Sequence, residues 1–122
     1  MELKEIAVNF LNMCARGNSR KAFKLYADEN FKHHNPYFEG DANSLITAME
    51  EDAKSNPDKF FEVRQMLQDG NLTAIHSFVK QNTDDLGSAV VHIFKFREER
   101  IAELWDLAQS VPENMINKNG IF

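Results

Sequence analysis

Three short segments place polar side chains capable of acid/base chemistry or hydrogen bonding in apolar surroundings. His33-His34-Asn35-Pro36 follows a helical pattern, His92 lies in the run Ala89–Phe94, and Asp106 lies within Leu104–Ala108. Burial of such groups costs free energy unless they are paired or belong to a functional site. A carboxylate and an imidazole that meet could transfer a proton. The segments are far apart in sequence, so only a fold that brings them to one cavity would make them a site.

Each of these residues also has a structural interpretation. His33 is expected to be an exposed loop residue. For His34, a position in a pocket and a position in an exposed loop are about equally expected. His76 in a strand is more often a hydrogen-bonded core histidine than a ligand, and His92 with Asp106 could be a buried structural pair. Histidines and Asp106 could bind a metal, but none of them has the i, i+2 or i, i+4 spacing of metal ligands. No metal site is predicted.

Composition limits the class of protein. The chain has 122 residues, 43% of them hydrophobic with ten Phe, which predicts one domain over 1–122 with a sizeable core. A net charge of −5 without blocks of like charge disfavours nucleic acid and anionic membrane as partners. Cys14 is the only cysteine, so no intrachain disulfide is expected. No signal peptide or membrane-spanning segment is recognisable, which predicts a cytoplasmic location.

Helical periodicity dominates the first half of the chain. A first helix carries apolar residues at steps of three and four and ends at Gly17, and a second begins at Ser19 as its cap. A third begins at Asp41 or Asn43 and ends at Asn56-Pro57-Asp58. The segment from Phe31 to Pro36 is too short and polar to continue the second helix.

From residue 59 the pattern alternates, which predicts strands near 60–69, 71–80, 88–97 and 100–109. Asp69-Gly70-Asn71 indicates a hairpin turn between the first two. Helices followed by an antiparallel meander predict an α+β fold, with the helices on one face of a strongly bent sheet.

The length of the last turn decides which residues face each other. A three-residue loop, Glu98 to Arg100, would place His92 opposite Asp106, about 5 Å apart at Cβ. A two-residue loop would pair His92 with Trp105 instead. We predict the longer loop because the sequence lacks an Asn-Gly type of dipeptide.

Alternation also predicts an apolar outer side of the sheet. This set comprises Ile75, Val79, Val91, Ile93, Trp105 and Leu107. Such a face is too apolar for water and predicts a homodimer that buries part of it. The tail from Met115 to Phe122 is expected to pack against the body or the partner.

The order of several segments resembles that of a known family. The segments are His34-Asn35-Pro36, Gly40, Asp69–His76, Ala89–Phe94, Glu103–Gln109 and Val111-Pro112-Glu113-Asn114. From about residue 5 to 122 the chain resembles the SnoaL-like branch of the NTF2-like superfamily. The resemblance implies a cone in which a curved antiparallel sheet wraps around N-terminal helices and encloses a pocket. It also implies dimers, which are common in the superfamily.

The resemblance implies roles for individual residues. In the polyketide cyclases of this family, an Asp on the final strand is the acid/base for an aldol closure, and a His and an Asn help to bind substrate. Asp106, His92 and Asn35 occupy the corresponding places. Asp106 and His92 are therefore the expected catalytic residues, although nothing in this sequence identifies a polycyclic ligand. The expected substrate-binding residues are His34, Asn35, His76, Phe94 and Trp105.

Two functions follow as hypotheses. The first is an enzyme that acts on a small carbonyl compound by aldol-type cyclisation or isomerisation, with Asp106 as base and His92 as donor to the enolate oxygen. This chemistry requires no metal or organic cofactor. The second is a non-catalytic small-molecule-binding or dimeric interaction module of the same superfamily.

Overall fold

The computed structural model describes residues 1–122 and contains three helices and one five-stranded sheet. The helices are α1 (Leu3–Ala15), α2 (Ser19–Tyr26) and α3 (Ala42–Ser55). The strands are β1 (Ala27–His33), β2 (Phe60–Asp69), β3 (Leu72–Lys80), β4 (Ser88–Arg97) and β5 (Arg100–Ser110). No helix combines the length and the apolar character that a membrane crossing requires.

The helix ends largely follow the sequence signals. The backbone at Gly17 has a φ of +89°, a left-handed conformation that glycine adopts without strain, and α1 ends just before it. Asp41 caps α3, because its carboxylate accepts a hydrogen bond of 3.3 Å from the backbone N–H of Ser44. The predicted cap of α2 is wrong: Asn18 occupies the cap position, and Ser19 is the first helical residue and is buried.

The sheet has the strand order β1-β5-β4-β3-β2. The antiparallel meander from β2 to β5 is confirmed. The sequence did not predict β1, which pairs in parallel with β5 at the sheet edge. Its register is irregular between Ala27 and Lys32, and only Ala27, Phe31 and His33 of its residues are buried. A short strand with this polar pattern has no clear alternation, so only its pairing with β5 defines it.

All three helices cover one side of the curved, unclosed sheet, which we call the helix face; the opposite side is the outer face. The core between helices and sheet is rich in aromatic rings. The Phe10 ring contacts Phe23 and Phe94 edge-on, with centroids 5.0 and 5.7 Å away. Phe10, Phe94, Phe96, Ile75 and Ile101 are essentially inaccessible to solvent.

The pairing of β3 with β4 corrects one part of the face prediction. Ile75 lies opposite His92, and His76 lies opposite Val91. Because directly opposed residues project to the same side of a sheet, Ile75 lies on the helix face and His76 on the outer face. Ile75 is fully buried, and Val79 shares its side. The predictions that Ile75 and Val79 are on the outer face, and that His76 joins His92, are therefore wrong.

The end of the C-terminal tail returns to the outer face. The ring of Phe122 lies 5.5 Å from that of His76 and 4.9 Å from that of Phe78, measured between centroids. The Arg64 guanidinium lies 4.7 Å from the centre of the Phe122 ring, within cation–π distance. The tail thus packs against the body at its end, although Ile116 is 94% exposed.

Candidate functional site

The turn between β4 and β5 is shorter than the sequence predicted. Arg97 pairs with Arg100, so the loop contains only Glu98 and Glu99. Glu98 has a φ of +58° and is the one non-glycine residue with a positive φ. The prediction of a three-residue loop, which rests on the absence of an Asn-Gly dipeptide, is therefore wrong. Glu98 adopts the conformation that glycine or asparagine would adopt more readily.

The predicted pair of His92 and Asp106 is nevertheless present. A β-bulge follows the turn: Ile101 pairs with Phe96 and Glu103 with Lys95, which leaves Ala102 as an extra residue in β5. The extra residue has the same effect on register as a longer loop. His92 therefore lies directly opposite Asp106, and both side chains project from the helix face.

Asp106 is held in place by Asn35, which follows the end of β1. The Asn35 side-chain amide donates to both carboxylate oxygens of Asp106, at 3.3 Å to Oδ1 and 3.1 Å to Oδ2. Both residues are half-buried. Hydrogen bonds to both oxygens fix the orientation of the carboxylate. Of the expected substrate-binding residues His34 and Asn35, it is Asn35 that reaches Asp106.

The loop after β1 positions Asn35 through its own backbone. The N–H of His34 donates to the carbonyl of Leu104 on β5 at 3.0 Å, which extends the pairing of the two strands. The Asn35 N–H donates to Nδ1 of His33 at 3.2 Å, and the side-chain oxygen of Asn35 accepts from the Tyr37 N–H at 3.0 Å. With its oxygen occupied by the loop, the Asn35 amide group directs its N–H donors towards Asp106.

The prediction that His33 is an exposed loop residue is wrong. Its side chain is buried, with the residue only 5% exposed, while that of His34 is 45% exposed. Because β1 alternates, the two histidines project to opposite faces, and the inward position belongs to His33. His33 supports Asn35, and its Nε2 atom is buried without a hydrogen-bond partner.

His92 is neutral at physiological pH. The pKa of its imidazole is lowered to about 4, chiefly by burial; the negative charge of Asp106 opposes this shift and the positive charge of Lys59 adds to it. The Nδ1 atom is buried and has no hydrogen-bond partner. A buried ring nitrogen without a partner costs free energy.

His92 lines an apolar cavity of about 180 Å³ between the helices and the sheet. The cavity is lined by Leu11, Cys14, Ala15, Met49, Lys59, Phe61, Val79, Val90 and His92. Asp106 is not part of this lining. It lies opposite His92 on the neighbouring strand.

Phe94 is predicted to bind substrate, but it lies in the core. It is fully buried, and its ring lies 6.2 Å from the His92 ring with an interplanar angle of 19°. It does not line the apolar cavity. Phe94 therefore supports the imidazole from within the core instead of contacting a ligand.

His34 and Trp105 lie on the other side of the sheet. Trp105 pairs with Ile93 on the outer face, and the His34 ring stacks on the indole at 5.0 Å with an interplanar angle of 10°. Nε2 of His34 lies 2.5 Å from a carboxylate oxygen of Glu103, and this hydrogen bond lowers the pKa of Glu103. The expected binding residues His34 and His76 therefore do not share a site with Asp106, because both lie on the outer face. Trp105 lies on the outer face as its alternation predicts, so it does not join Asp106 either.

Two further polar residues of the cavity have no place in the sequence-based site. Lys59 directly precedes β2, and Cys14 lies on the buried side of α1. Burial raises the pKa of the Cys14 thiol to about 12, so it remains protonated and unreactive. No pattern in the sequence distinguishes Lys59 from the other lysines. No group of three or more His, Cys, Asp or Glu side chains is arranged to hold a metal ion.

Comparison with solved structures identifies the fold. No known family model and no curated protein matches the sequence. An NTF2-like protein of unknown function from Cytophaga hutchinsonii matches with a TM-score of 0.71 and 16% identity, over 89% of this chain and 91% of that one. AclR, a putative hydroxylase from Streptomyces galilaeus, matches with a TM-score of 0.73 and 18% identity, over 88% of each chain.

A SnoaL-like polyketide cyclase from Agrobacterium tumefaciens also matches, with a TM-score of 0.71 and 17% identity over 89% of this chain and 92% of that one. Three N-terminal helices against a curved sheet, with these neighbours, define an NTF2-like α+β fold. The resemblance to SnoaL-like proteins is thereby confirmed at the level of the fold. At these identities the match concerns the fold and does not extend to an activity.

Proposed function

We propose that this protein is an enzyme that transfers a proton on a small carbonyl compound, with Asp106 as the base. One observation carries the proposal: the Asp106 carboxylate is oriented by the Asn35 amide and lies opposite a neutral His92 that lines an apolar cavity. A base held in one orientation beside a neutral hydrogen-bond donor is the arrangement that enolate chemistry requires. The SnoaL-like cyclases among the structural neighbours support the same class of reaction.

The reaction begins when a C–H bond next to a carbonyl breaks. The proton moves to a carboxylate oxygen of Asp106, and the electron pair moves onto the carbonyl oxygen to form an enolate. Reprotonation at another carbon by Asp106 gives an isomer, and attack of the enolate carbon on a second carbonyl gives an aldol product. In the isomerisation Asp106 returns the proton to carbon, and in the aldol closure it gives the proton to the alkoxide oxygen that forms from the second carbonyl. Neither outcome requires an oxidant or reductant.

His92 supplies the hydrogen bond for the oxygen that gains charge. Because its pKa is lowered to about 4, the imidazole is neutral and carries one N–H. A neutral donor stabilises the enolate without protonating it prematurely, and the low-polarity surroundings strengthen the hydrogen bond. The Phe94 ring is nearly parallel to the imidazole, with centroids 6.2 Å apart.

The size of the cavity limits the substrate. Its volume of about 180 Å³ is smaller than the roughly 300–1,000 Å³ of pockets that bind drug-sized ligands. A cavity of this size favours a compact ligand over a polycyclic aromatic one. The substrate class is therefore a compact carbonyl compound with an apolar body.

Exchange of α-protons with solvent tests the proposal across a range of simple carbonyl compounds. The protein is incubated in D₂O with a panel of small ketones, aldehydes and oxo acids, and loss of the α-proton signal is followed by NMR. We expect the wild type to accelerate exchange for at least one compound and Asp106→Asn to reduce that rate by about a hundredfold or more.

Glu103→Gln is the matched control because Glu103 lies on the same strand but projects from the outer face. It should retain the wild-type exchange rate. If Asp106→Asn retains the native fold and exchanges protons at the wild-type rate, Asp106 is not the base.

The second candidate is a non-catalytic module that binds a small molecule. The observation in its favour is that Asp106 is not among the residues that line the cavity. If ligands bind in the cavity with equal affinity in the wild type and in Asp106→Asn, and no compound of the panel exchanges its α-proton, this function replaces the first.

A further inference from the structure

Lys59 is the only charged side chain in the lining of the apolar cavity. Its side chain is 21% exposed, and seven of the nine lining residues are hydrophobic. A cation next to such a surface loses hydration, and this cost must be offset by a partner. The partners of the Lys59 ammonium therefore indicate what the cavity can accept.

The structure shows one partner for the ammonium, the Asp52 carboxylate of α3. An ammonium has three N–H donors, so this ion pair leaves donors open. Asp52 is itself held by other groups: its Oδ1 atom accepts from the side chains of Asn56 at 3.1 Å and Gln81 at 3.3 Å. Asp52 thus remains in position without Lys59, and Lys59 can accept a second anion without losing the first.

The charge of Lys59 acts on the inside of the cavity. Burial is the main cause of both pKa shifts: it raises the pKa of Cys14 and lowers that of His92. The positive charge of the Lys59 ammonium acts to lower the pKa at both residues. Cys14 lies on α1 and His92 on β4, so the positive charge is felt on both walls of the cavity. The remaining charged group near His92 is Asp106, which lies outside the lining.

We infer that the ligand of this cavity is a small carboxylate with an apolar body, and that Lys59 binds its anionic end. The inference rests on the proposed function, because it assigns the cavity as the substrate site. The apolar lining would hold the body of the molecule, and His92, a separate residue of the lining, would face its carbonyl. The substrate class is then a compact oxo acid, for which the carboxylate fixes the orientation of the reacting carbon.

Binding of sodium benzoate and of benzamide tests this inference. The two molecules have the same shape, but only benzoate carries a negative charge. We expect benzoate to bind the wild type at least about tenfold more tightly than benzamide in titration calorimetry, with amide NMR shifts at residues of the cavity. Lys59→Met should remove this difference by weakening benzoate about tenfold and leaving benzamide unchanged.

Two further variants separate a local contact from general electrostatics. Lys54→Met removes a positive charge from the exposed side of α3, so it should leave the preference for benzoate intact. Asp52→Asn removes the carboxylate that competes for Lys59, so it should tighten benzoate binding about threefold or more. It also provides a test if Lys59→Met does not fold.

The outcomes distinguish this inference from the proposed function. Equal affinity of the wild type for benzoate and benzamide, with shifts in the cavity, would overturn the role of Lys59 while the cavity remains a ligand site. An unchanged or weakened benzoate affinity in Asp52→Asn would also overturn it. If neither compound shifts any residue of the cavity, the assignment of the cavity as the substrate site fails and the inference fails with it.

Discussion

Asn35 and Asp106 are 71 residues apart in the sequence, yet their side chains are joined by hydrogen bonds of 3.1 and 3.3 Å. The contact connects the loop after the first strand with the last strand of the sheet. It exists because β1 pairs in parallel with β5 and because the N–H of His34 continues that pairing to Leu104. The carboxylate is thus oriented by an element that the sequence pattern did not reveal.

We predict an energetic coupling between Asn35 and Asp106. A double-mutant cycle of Asn35→Ala and Asp106→Ala in urea denaturation should give a coupling free energy of about 1 kcal/mol, because a hydrogen bond to a half-buried carboxylate is lost. The control cycle pairs Asn35→Ala with Glu103→Ala on the outer face, where additivity is expected. Additive free energies in the Asn35–Asp106 cycle would contradict the contact.

His92 should make the protein less stable as the pH falls. Its folded pKa of about 4 lies below the unfolded value of 6.5, so between these values the unfolded state binds the additional proton. Stability is therefore lost as the pH falls through this range, by about 3 kcal/mol from this group. Urea denaturation at several pH values should show a flatter dependence between pH 6.5 and 4 for His92→Gln than for the wild type.

His76→Gln is the control for this measurement, since it removes an imidazole from the outer face and leaves His92 in place. It should follow the wild type throughout the range. Parallel pH profiles of the wild type and His92→Gln would show that the His92 imidazole is not held neutral by burial.

The backbone of the turn between β4 and β5 is strained at Glu98, and a glycine at this position would relieve the strain. Glu98 has a φ of +58°, and we expect Glu98→Gly to raise the free energy of unfolding by about 0.5–1 kcal/mol. Glu99 is the matched control because its φ is not positive, so Glu99→Gly should lower stability by about the same amount through backbone entropy. Thermal or urea denaturation measures both, and destabilisation by Glu98→Gly would refute the assigned turn.

We propose that two copies of the protein associate through the outer face of the sheet. Leu107 on this face is 59% exposed, next to the half-buried Val91, Ile93 and Trp105. Light scattering at micromolar concentration should give the mass of a dimer for the wild type and of a monomer for Leu107→Lys. Leu25→Lys changes an exposed leucine of α2 and should remain a dimer. A monomeric wild type would exclude this assembly.

The repeating pattern of side chains determined much of the fold without any tertiary contact. The three helices, the meander from β2 to β5 and the switch of period near residue 59 are all confirmed. The reason is that helices and strands with one buried face have periods of 3.6 and 2, which are visible in a single sequence. Within β4 the same alternation placed His92 and Phe94 on the face that the helices cover.

The strand register, and hence which residues face each other, was decided only by the tertiary structure, because it depends on pairing between distant segments. The sequence of β3 has apolar residues on both sides, and its register with β4 put Ile75 inward and His76 outward. The pair of His92 and Asp106 is predicted from a longer turn, whereas the structure reaches it through a two-residue turn and an extra residue, Ala102. Lengthening a turn by one residue and inserting a one-residue bulge change the strand register in the same way. A single sequence therefore does not show which of the two occurs.

The chemical surroundings of the site were also decided by packing. Burial between α1, α3 and the sheet makes His92 neutral and brings Lys59 and Cys14 into the same cavity. The register of the sheet directs His34 and Trp105 to its outer face. Residue type and local period identify which side chains can do chemistry. Which of them share a cavity depends on contacts across the whole chain, because desolvation and charge act through space and not along the sequence.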